Sequence, residues 1–191
     1  IAAGIKLQDN GPVFYRGEGI GLKGKCFKIY KFRTMVANAD KIGPSSTSSA
    51  DTRITRLGNF LRSHKIDELP QLINVFVGEM SIVGPRPEVK KFVDKYTEKE
   101  KYILEVKPGI TDWASIWNNN EGMVIEKSGI SDPDLAYEKI LRPTKLHLQL
   151  KYVNEISLIT DLKIIFRTIQ AIINKNHDTT DIAPNPLSNL K

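Results

Sequence analysis

The apolar residues of this chain are dispersed, and no uninterrupted apolar run exceeds three residues. A membrane-crossing helix needs about 20 consecutive, predominantly apolar residues. The 191 residues therefore contain neither such a helix nor the apolar core of a signal peptide. Apolar residues that are spaced in this way predict amphipathic helices and strands, which bury one face and leave the other in water.

Length and composition are those of a packed domain. The chain is 40% hydrophobic and 26% charged, which suits one large domain or two small ones and excludes a disordered or collagen-like chain. Its single cysteine, Cys26, excludes an intrachain disulfide, and no Cys/His cluster has the spacing of a structural zinc site. This cysteine usage indicates a reducing compartment.

Local patterns predict an α/β fold that is dominated by helices and has a small N-terminal sheet. Residues 13–16 and 26–33 alternate and are rich in aromatic side chains, which is typical of strands, with a glycine-rich link between them. Helical spacing of apolar residues predicts helices that include residues 54–61 and 159–174. We expect the tail, residues 177–191, to be disordered because it has two prolines and no apolar period.

Two adjacent carboxylates, Asp67 and Glu68, lie where a helix over residues 68–77 is predicted to begin. The predicted buried face of that helix consists of Leu69, Leu72, Ile73 and Phe76. A helix N-terminus keeps a carboxylate ionised and attracts phosphate. An ionised aspartate beside a divalent cation can attack phosphorus. The alternative is that Asp67 is only the N-cap and Glu68 an exposed first-turn acid.

Several cations lie close to this acid pair in the sequence. Arg62 precedes the pair by about one helical turn, Arg86 stands between two prolines, and Lys31 and Arg33 end a basic stretch. Up to Met35 the chain has seven basic and two acidic residues, within a formal net charge of +6 overall. Phosphoryl transfer needs fixed cations, a metal ion and an in-line nucleophile, so this pattern favours it. The basic stretch alone also fits a solvated face, an anionic membrane or nucleic acid.

Seven segments together resemble the bacterial sugar transferases, which are monotopic polyprenyl-phosphate glycosyl-1-phosphate transferases. They follow the order of that family from residue 11 to about 166. The segments are GPVF at 11–14, FKIYKFRTM at 27–35, TRLGNFLR at 55–62, IDELPQLINV at 66–75, GEMSIVGPRPE at 78–88, KPGIT at 107–111 and DLKI at 161–164.

The resemblance implies a reaction and the residues that carry it. The chain is expected to transfer a sugar-1-phosphate from a nucleotide-diphosphate sugar, expected to be a UDP-sugar, to polyprenyl (undecaprenyl) phosphate, with Mg²⁺ as cofactor. Asp67 would be the nucleophile, with Glu68 as its partner, and Asp67 would also hold the metal ion. The implied phosphate-binding residues are Arg62, Arg86, Lys31 and Arg33.

The resemblance also implies a place in the cell. We expect a catalytic domain over residues 11–176 on the cytoplasmic face of the bacterial inner membrane, in contact with membrane lipids and initiating a surface glycan. Residues 1–10 are expected to end a re-entrant membrane helix that begins upstream. The resemblance leaves open whether the chain forms a homo-oligomer. Gly17, Gly19 and residues 112–115 depart from the family pattern, so the sugar cannot be inferred from the resemblance.

Two interpretations from other classes are kept as alternatives. In the first, the chain is a non-catalytic scaffold docked on a membrane, and the acid pair is only a helix cap. In the second, it is a nucleic-acid-binding module that uses the basic N-terminal stretch. The sequence shows no pattern of stacking aromatics and no reading helix, so we expect no nucleic-acid partner.

Overall fold

The computed structural model describes residues 1–174 and 179–186, and it confirms a helix-rich fold with small sheets. The helices are α1 (Ala2–Asp9), α2 (Arg56–Ser63), α3 (Gln71–Phe76), α4 (Lys90–Val93), α5 (Trp113–Trp117), α6 (Glu121–Lys127), α7 (Pro133–Ala136), α8 (Arg142–Asn154) and α9 (Leu158–Ile173). The strands are β1 (Phe14–Ile20), β2 (Cys26–Phe32), β3 (Ser81–Val83) and β4 (Gly109–Thr111). A π-helical turn, Tyr137–Leu141, joins α7 to α8.

The predicted N-terminal sheet is an antiparallel hairpin of β1 and β2. Its register pairs Phe14 with Phe32 and Ile20 with Cys26, and the Phe14 and Phe32 rings stack at 5.6 Å. Gly17 and Gly19, which we predicted in the link between the strands, lie inside β1 instead. They belong to the strand because the hairpin register continues through both of them.

A second, parallel pair of strands, β3 and β4, carries the chain toward the Gly84–Glu88 loop. The two strands come so close at their ends that a Cβ on Gly109 would lie 2.1 Å from the backbone nitrogen of Gly84. Only glycine fits there without moving the backbone. The close approach lets the Gly109 N–H donate to the Pro85 carbonyl at 3.0 Å, which fixes the start of the loop.

The main core lies around α5, α8 and the helices between them. Its buried members are Phe92, Ala114, Trp117, Val124, Ile125, Ala136, Tyr137, Leu141, Leu148 and Ala183. A second cluster joins β3 to α5, α8 and α9 through Val83, Ile116, Tyr152, Ile164 and Ala171. Burial of these side chains is the dominant favourable contribution to folding, and it makes the C-terminal helices a rigid support for the loops above them.

The predicted helix over residues 68–77 is wrong in its start and in its buried face. The chain makes a 3₁₀ turn at Ile66–Glu68 before α3 begins, and the predicted apolar face is 41–92% exposed. Asn74 is buried in its place, because its amide accepts from the Tyr30 N–H (3.0 Å) and donates to the Lys28 carbonyl (2.8 Å). The open edge of β2 requires a polar partner, so α3 turns its polar side inward.

The expected disorder of the tail is wrong for residues 179–186. Ala183 joins the main core, and the Trp117 Nε1–H donates to the Pro184 carbonyl at 2.8 Å. The rest of the predicted tail, 177–178 and 187–191, lies outside the described residues. Among the helices of residues 1–174 and 179–186, none has both the length and the apolar content needed to cross a bilayer.

Candidate active site

The acid pair lies in the 3₁₀ turn that connects α2 to α3. Lys65, immediately before this turn, has left-handed backbone dihedrals (φ 56°), which reverse the chain direction after α2. The reversal buries Asp67, which is 7% exposed, whereas the Glu68 side chain retains 17% exposure. Asp67 therefore does not cap a helix: its carboxylate accepts no hydrogen bond from the described residues, so the capping alternative is excluded for it.

Glu68 is held by two cations that come from distant parts of the chain. Arg86 forms a two-pronged ion pair with it, Nη1 to Oε2 at 3.0 Å and Nη2 to Oε1, and Lys31 Nζ lies 3.2 Å from Oε1. Burial opposes ionisation of Glu68, but Arg86 and Lys31 outweigh it and hold the pKa of Glu68 well below its usual range. Glu68 is thus a fixed negative charge that orders these two cations.

Asp67 has the opposite electrostatic character. Burial and the neighbouring Glu68 charge raise the pKa of Asp67 above its usual value, while Lys31, Arg62 and Lys65 act to lower it. A carboxylate that is desolvated, free of hydrogen bonds and surrounded by cations is a reactive oxygen nucleophile once it is ionised. The two adjacent acids therefore have different roles, which their order in the sequence does not reveal.

Arg62 reaches this centre from α2. The helix begins at the N-cap Thr55, whose hydroxyl accepts from the Gly58 N–H at 2.9 Å. A Cβ on Gly58 would lie 1.9 Å from the Thr34 carbonyl oxygen, so α2 rests directly on the end of β2. Thr34 in turn accepts a hydrogen bond from Arg62 Nε at 3.0 Å. Burial lowers the pKa of Arg62, opposed by the charges of Asp67 and Asp51.

Arg33, the remaining predicted phosphate-binding residue, is not part of this cluster. Its guanidinium bonds to both carboxylate oxygens of Asp9, and it also donates to the Pro12 carbonyl at 2.7 Å and to that of Ile5 at 3.3 Å. The ion pair with Arg33 lowers the pKa of Asp9. Arg33 therefore ties α1 to β2 rather than facing the acid pair, because Asp9 ends α1 beside it.

Lys28, another member of the N-terminal basic stretch, is also paired. Lys28 Nζ lies 2.7 Å from Glu18 across the hairpin, and Lys31 and Arg33 bind Glu68 and Asp9. A continuous, unpaired basic surface is what nucleic-acid binding requires. Ion pairs with described acids engage three of the seven cations of this stretch, so they reduce the positive charge that it offers to nucleic acid.

Lys65 and Thr34 also belong to the site, although we did not predict them. The Lys65 charge acts to lower the pKa of both Asp67 and Glu68, and its Nζ donates to the Asn119 carbonyl. Lys65 adjoins the acid pair, so proximity alone was a usable signal. Thr34 acts through its contact with Arg62, which only the packing of α2 on β2 creates.

The described residues contain no group of three or more His, Cys, Asp or Glu side chains that could enclose a metal ion. A protein cage is not what Mg²⁺ requires, since it commonly uses one or two carboxylates together with water and substrate phosphates. Asp67 offers one such carboxylate, because no hydrogen bond occupies it, whereas both oxygens of Glu68 are engaged by cations. The site thus fits Mg²⁺ only through Asp67 and a phosphate-bearing ligand.

Comparison with known proteins gives one matching family model, described as bacterial sugar transferase, which covers residues 1–175. A UDP-glucose:undecaprenyl-phosphate glucose-1-phosphate transferase of Escherichia coli K12 is 41% identical over 182 residues, 92% of this chain and 36% of that protein. An uncharacterized sugar transferase, EpsL, of Bacillus subtilis 168 is 38% identical over 169 residues, 88% of this chain and 74% of that protein.

A UDP-N-acetylgalactosamine-undecaprenyl-phosphate N-acetylgalactosaminephosphotransferase of Aeromonas hydrophila is 33% identical over 174 residues, 88% of this chain and 37% of that protein. The chain thus spans little more than a third of the length of the Escherichia coli and Aeromonas relatives. The names of these two relatives specify different sugars.

Proposed function

The chain belongs to the bacterial sugar transferase family, and we propose that it transfers a sugar-1-phosphate from a UDP-sugar to undecaprenyl phosphate. The observation that carries this proposal is the contrast between the two acids. Asp67 is buried, unbonded and surrounded by Lys31, Arg62 and Lys65, whereas Glu68 is neutralised by Arg86. Such a centre can supply both an oxygen nucleophile and cations for two phosphates.

The proposed reaction has two displacement steps. An Asp67 carboxylate oxygen forms a bond to the sugar-bearing phosphorus, the bond to the bridging oxygen breaks, and nucleoside monophosphate leaves with that oxygen. A phosphate oxygen of the lipid then attacks the same phosphorus and restores the Asp67 carboxylate. The net products are nucleoside monophosphate and a polyprenyl diphosphate sugar. We propose that Arg62 and Arg86 stabilise charge on the transferring phosphoryl group, because the charge of Arg62 acts on Asp67 and Arg86 binds the adjacent Glu68.

Mg²⁺ is proposed as the cofactor, with Asp67 as its protein ligand. When bound, the ion would neutralise charge on the donor diphosphate. Lys31 and Arg86 lie on the Glu68 side of the centre, where each remains 27% exposed and is able to contact a phosphate oxygen. We propose that these residues orient the diphosphate while the low exposure of Asp67 limits the water around its carboxylate.

A membrane-facing surface accounts for access to a lipid acceptor. We define it as the exposed apolar side chains of α3 and α9, both of which contact β3. Its most exposed members, at 61–92% exposure, are Phe76, Ile173, Leu158, Ile159 and Phe166. Surface this apolar marks an interaction site, and the formal charge of +6 suits the anionic cytoplasmic leaflet. We propose monotopic association with the cytoplasmic face of the inner membrane.

The reaction is tested with the full-length protein in detergent, Mg²⁺, undecaprenyl phosphate and a panel of UDP-sugars, scored by released UMP. The expected result is UMP release with one or a few donors, dependent on both Mg²⁺ and Asp67. Failure of every UDP-sugar, or undiminished release by an Asp67→Asn variant, would contradict the proposal. If the protein shows no activity with any donor, the non-catalytic scaffold becomes the better interpretation.

Membrane association is tested by flotation of the 191-residue chain with anionic phospholipid vesicles. Phe166→Ser, on α9, is compared with Tyr102→Ser, because the two aromatic side chains have nearly equal exposure, 61% and 62%. Burial of an aromatic side chain contributes about 1.5–3 kcal/mol, so the first change should weaken vesicle binding by about 10-fold and the second should not. Equal effects would contradict the proposed surface.

A further inference from the structure

The backbone of Arg86 is held by two side chains that take no part in the site as described so far. Asp112, the N-cap of α5, and Gln149, on α8, are both 0% exposed. The Arg86 N–H donates to Asp112 Oδ2 at 3.3 Å, and Gln149 Nε2 donates to the Arg86 carbonyl at 3.2 Å. Both backbone polar groups of this one residue are thus bound from the protein interior.

These two buried side chains are also bound to each other. Gln149 Nε2 lies 3.2 Å from Asp112 Oδ2, so this oxygen receives hydrogen bonds from both the glutamine and Arg86. The other oxygen, Oδ1, accepts from the Ser115 N–H at 2.7 Å and caps α5. Burial of a carboxylate is costly unless its oxygens are satisfied. Asp112 meets that condition, because its Oδ1 binds helix α5 and its Oδ2 binds the Gly84–Glu88 loop.

The sequence around Arg86 leaves few other ways to fix its position. Pro85 and Pro87 have no N–H, so Arg86 supplies the only backbone donor between Gly84 and Glu88. The guanidinium of Arg86 must meet Glu68 with two prongs, and such an arrangement depends on where the backbone lies. Asp112 occupies a position at which the sequence departs from the family pattern, and this contact gives that departure a structural role.

We propose that Asp112 and Gln149 are positioning residues, which hold the Arg86 peptide so that its guanidinium stays beside Glu68 and the transferring phosphoryl group. This inference rests on the proposed function for its consequence in turnover. Small misplacement of a catalytic group costs up to about 10²-fold in rate. Loss of either contact should therefore lower kcat with little change in the KM for the donor, since Lys31 and Glu68 are untouched.

Two variants and a matched control separate positioning from stability. Asp112→Asn keeps Oδ1 for the helix cap but turns an NH₂ group toward the two donors, and Gln149→Met removes the bond to the Arg86 carbonyl. Asp132→Ala is the control, because Asp132 caps α7 through the Asp134 N–H at 2.9 Å and its bonds do not involve Arg86. Each change is made in the full-length protein and again together with Arg86→Ala.

UMP release is measured on every protein, and amide hydrogen exchange of Arg86 is measured on the proteins that retain Arg86, labelled with ¹⁵N-arginine. Asp112→Asn and Gln149→Met should each lower kcat by about 10-fold in the wild-type background and by less than about 2-fold when Arg86 is alanine, because coupled residues are not additive. Asp112→Asn should also speed exchange of the Arg86 amide, while Asp132→Ala should change neither quantity.

The outcomes keep this inference separate from the proposed function. Equal losses of kcat in both backgrounds, or unchanged exchange of the Arg86 amide in Asp112→Asn, would overturn the positioning role. If the wild-type protein releases no UMP with any donor, the proposed function fails, and the exchange measurement still decides whether Asp112 anchors Arg86.

Discussion

The short loop from Gly84 to Glu88 supplies one residue to each of two carboxylate–cation pairs, and these pairs differ in their exposure to solvent. In the open pair, Arg86 and Glu68 retain 27% and 17% exposure of their side chains. In the closed pair, Lys145 and Glu88 retain 12% and 2%. An open pair can exchange one partner for a substrate phosphate, whereas a closed pair can only hold the protein together. One loop thus carries the proposed phosphate-binding residue Arg86 and the structural residue Glu88.

The closed pair is a buried network of three groups. Lys145 Nζ lies 2.9 Å from both Glu88 Oε1 and the Tyr137 hydroxyl, and that hydroxyl donates to Glu88 Oε1. Burial opposes the charge of Lys145, but Glu88 outweighs it and raises the pKa of Lys145 well above its usual value. The Glu88 carbonyl also accepts from the Ile20 N–H at 2.8 Å, which ties the loop to β1.

The largest expected effect concerns Asp67, which is next to Glu68 of the open pair and accepts no hydrogen bond from the described residues. Asp67→Asn should lower UMP release by at least about 10³-fold, because a nucleophile has no substitute in a two-step displacement. In the wild-type enzyme, rapid acid quench with donor alone should trap a phosphosugar on the peptide spanning residues 66–71. Mass measurement should place the adduct on Asp67 and find none in Asp67→Asn.

Glu68→Gln is the necessary companion to that experiment. It should also lose most turnover, because Arg86 and Lys31 then lack the charge that orders them. Loss of activity therefore cannot distinguish the two acids, but the site of the adduct can. An adduct on Glu68, or an active Asp67→Asn enzyme, would show that the assignment of roles is reversed or wrong.

The next test breaks the closed pair. Glu88→Leu leaves the buried Lys145 charge uncompensated and should lower the free energy of unfolding by about 3–5 kcal/mol. The double variant Glu88→Leu/Lys145→Met replaces the pair with apolar side chains and should recover most of that loss. Urea denaturation measures both. A cost below about 1 kcal/mol for the single change would mean that this pair does not hold the loop.

Breaking the open pair should cost more activity and less stability than breaking the closed pair. Arg86→Ala should lower turnover by about 10²-fold, which corresponds to loss of one transition-state charge contact. Its effect on the free energy of unfolding should be smaller than that of Glu88→Leu, because Glu68 keeps Lys31 and some contact with water. Near wild-type turnover would make Arg86 an ordinary surface residue.

Much of this arrangement was predictable from local sequence. The hairpin, the helix at residues 56–63 and the long C-terminal helix follow from apolar spacing, and the acid pair with Arg62 and Arg86 follows from charge and motif. Their mutual contacts were not predictable without the family resemblance. Arg86 is 18 residues from Glu68 in the sequence, and Lys31 is 37 residues from it. Only the packing of the loops brings these side chains together.

The errors have different physical causes, and the first is that an apolar period does not say what it faces. The stripe on α3 is exposed because Asn74 satisfies the edge of β2 from the opposite side of the helix. Residues 179–186 lack a period and yet pack, because Ile182 and Ala183 lie against the core. Hydrogen bonds from Trp117 and Arg167 also hold the segment. Arg33 was assigned to phosphate from the basic stretch and the family resemblance, whereas its partner Asp9 lies 24 residues earlier in the sequence.

The smallest effect is a gain of stability, and it sharpens the contrast between the two pairs. Ionised Asp67 is buried without a hydrogen bond, so the active site is maintained at a cost to folding. Asp67→Asn removes the charge and should raise the free energy of unfolding at neutral pH by about 0.5–2 kcal/mol. The variant with the largest loss of activity would then be more stable than the wild type, whereas Glu88→Leu would be less stable.

The pH dependence of that gain identifies its origin. Because the folded pKa of Asp67 is raised above its usual value of 3.8, the folded state binds a proton before the unfolded state does as the pH falls. Wild-type stability therefore recovers relative to Asp67→Asn as the pH falls from the folded pKa toward 3.8, and below that value both states are protonated. Denaturation of the two proteins across this range should show the difference shrinking toward zero. A difference that is the same at every pH would arise from packing, and the buried charge of Asp67 would not be its cause.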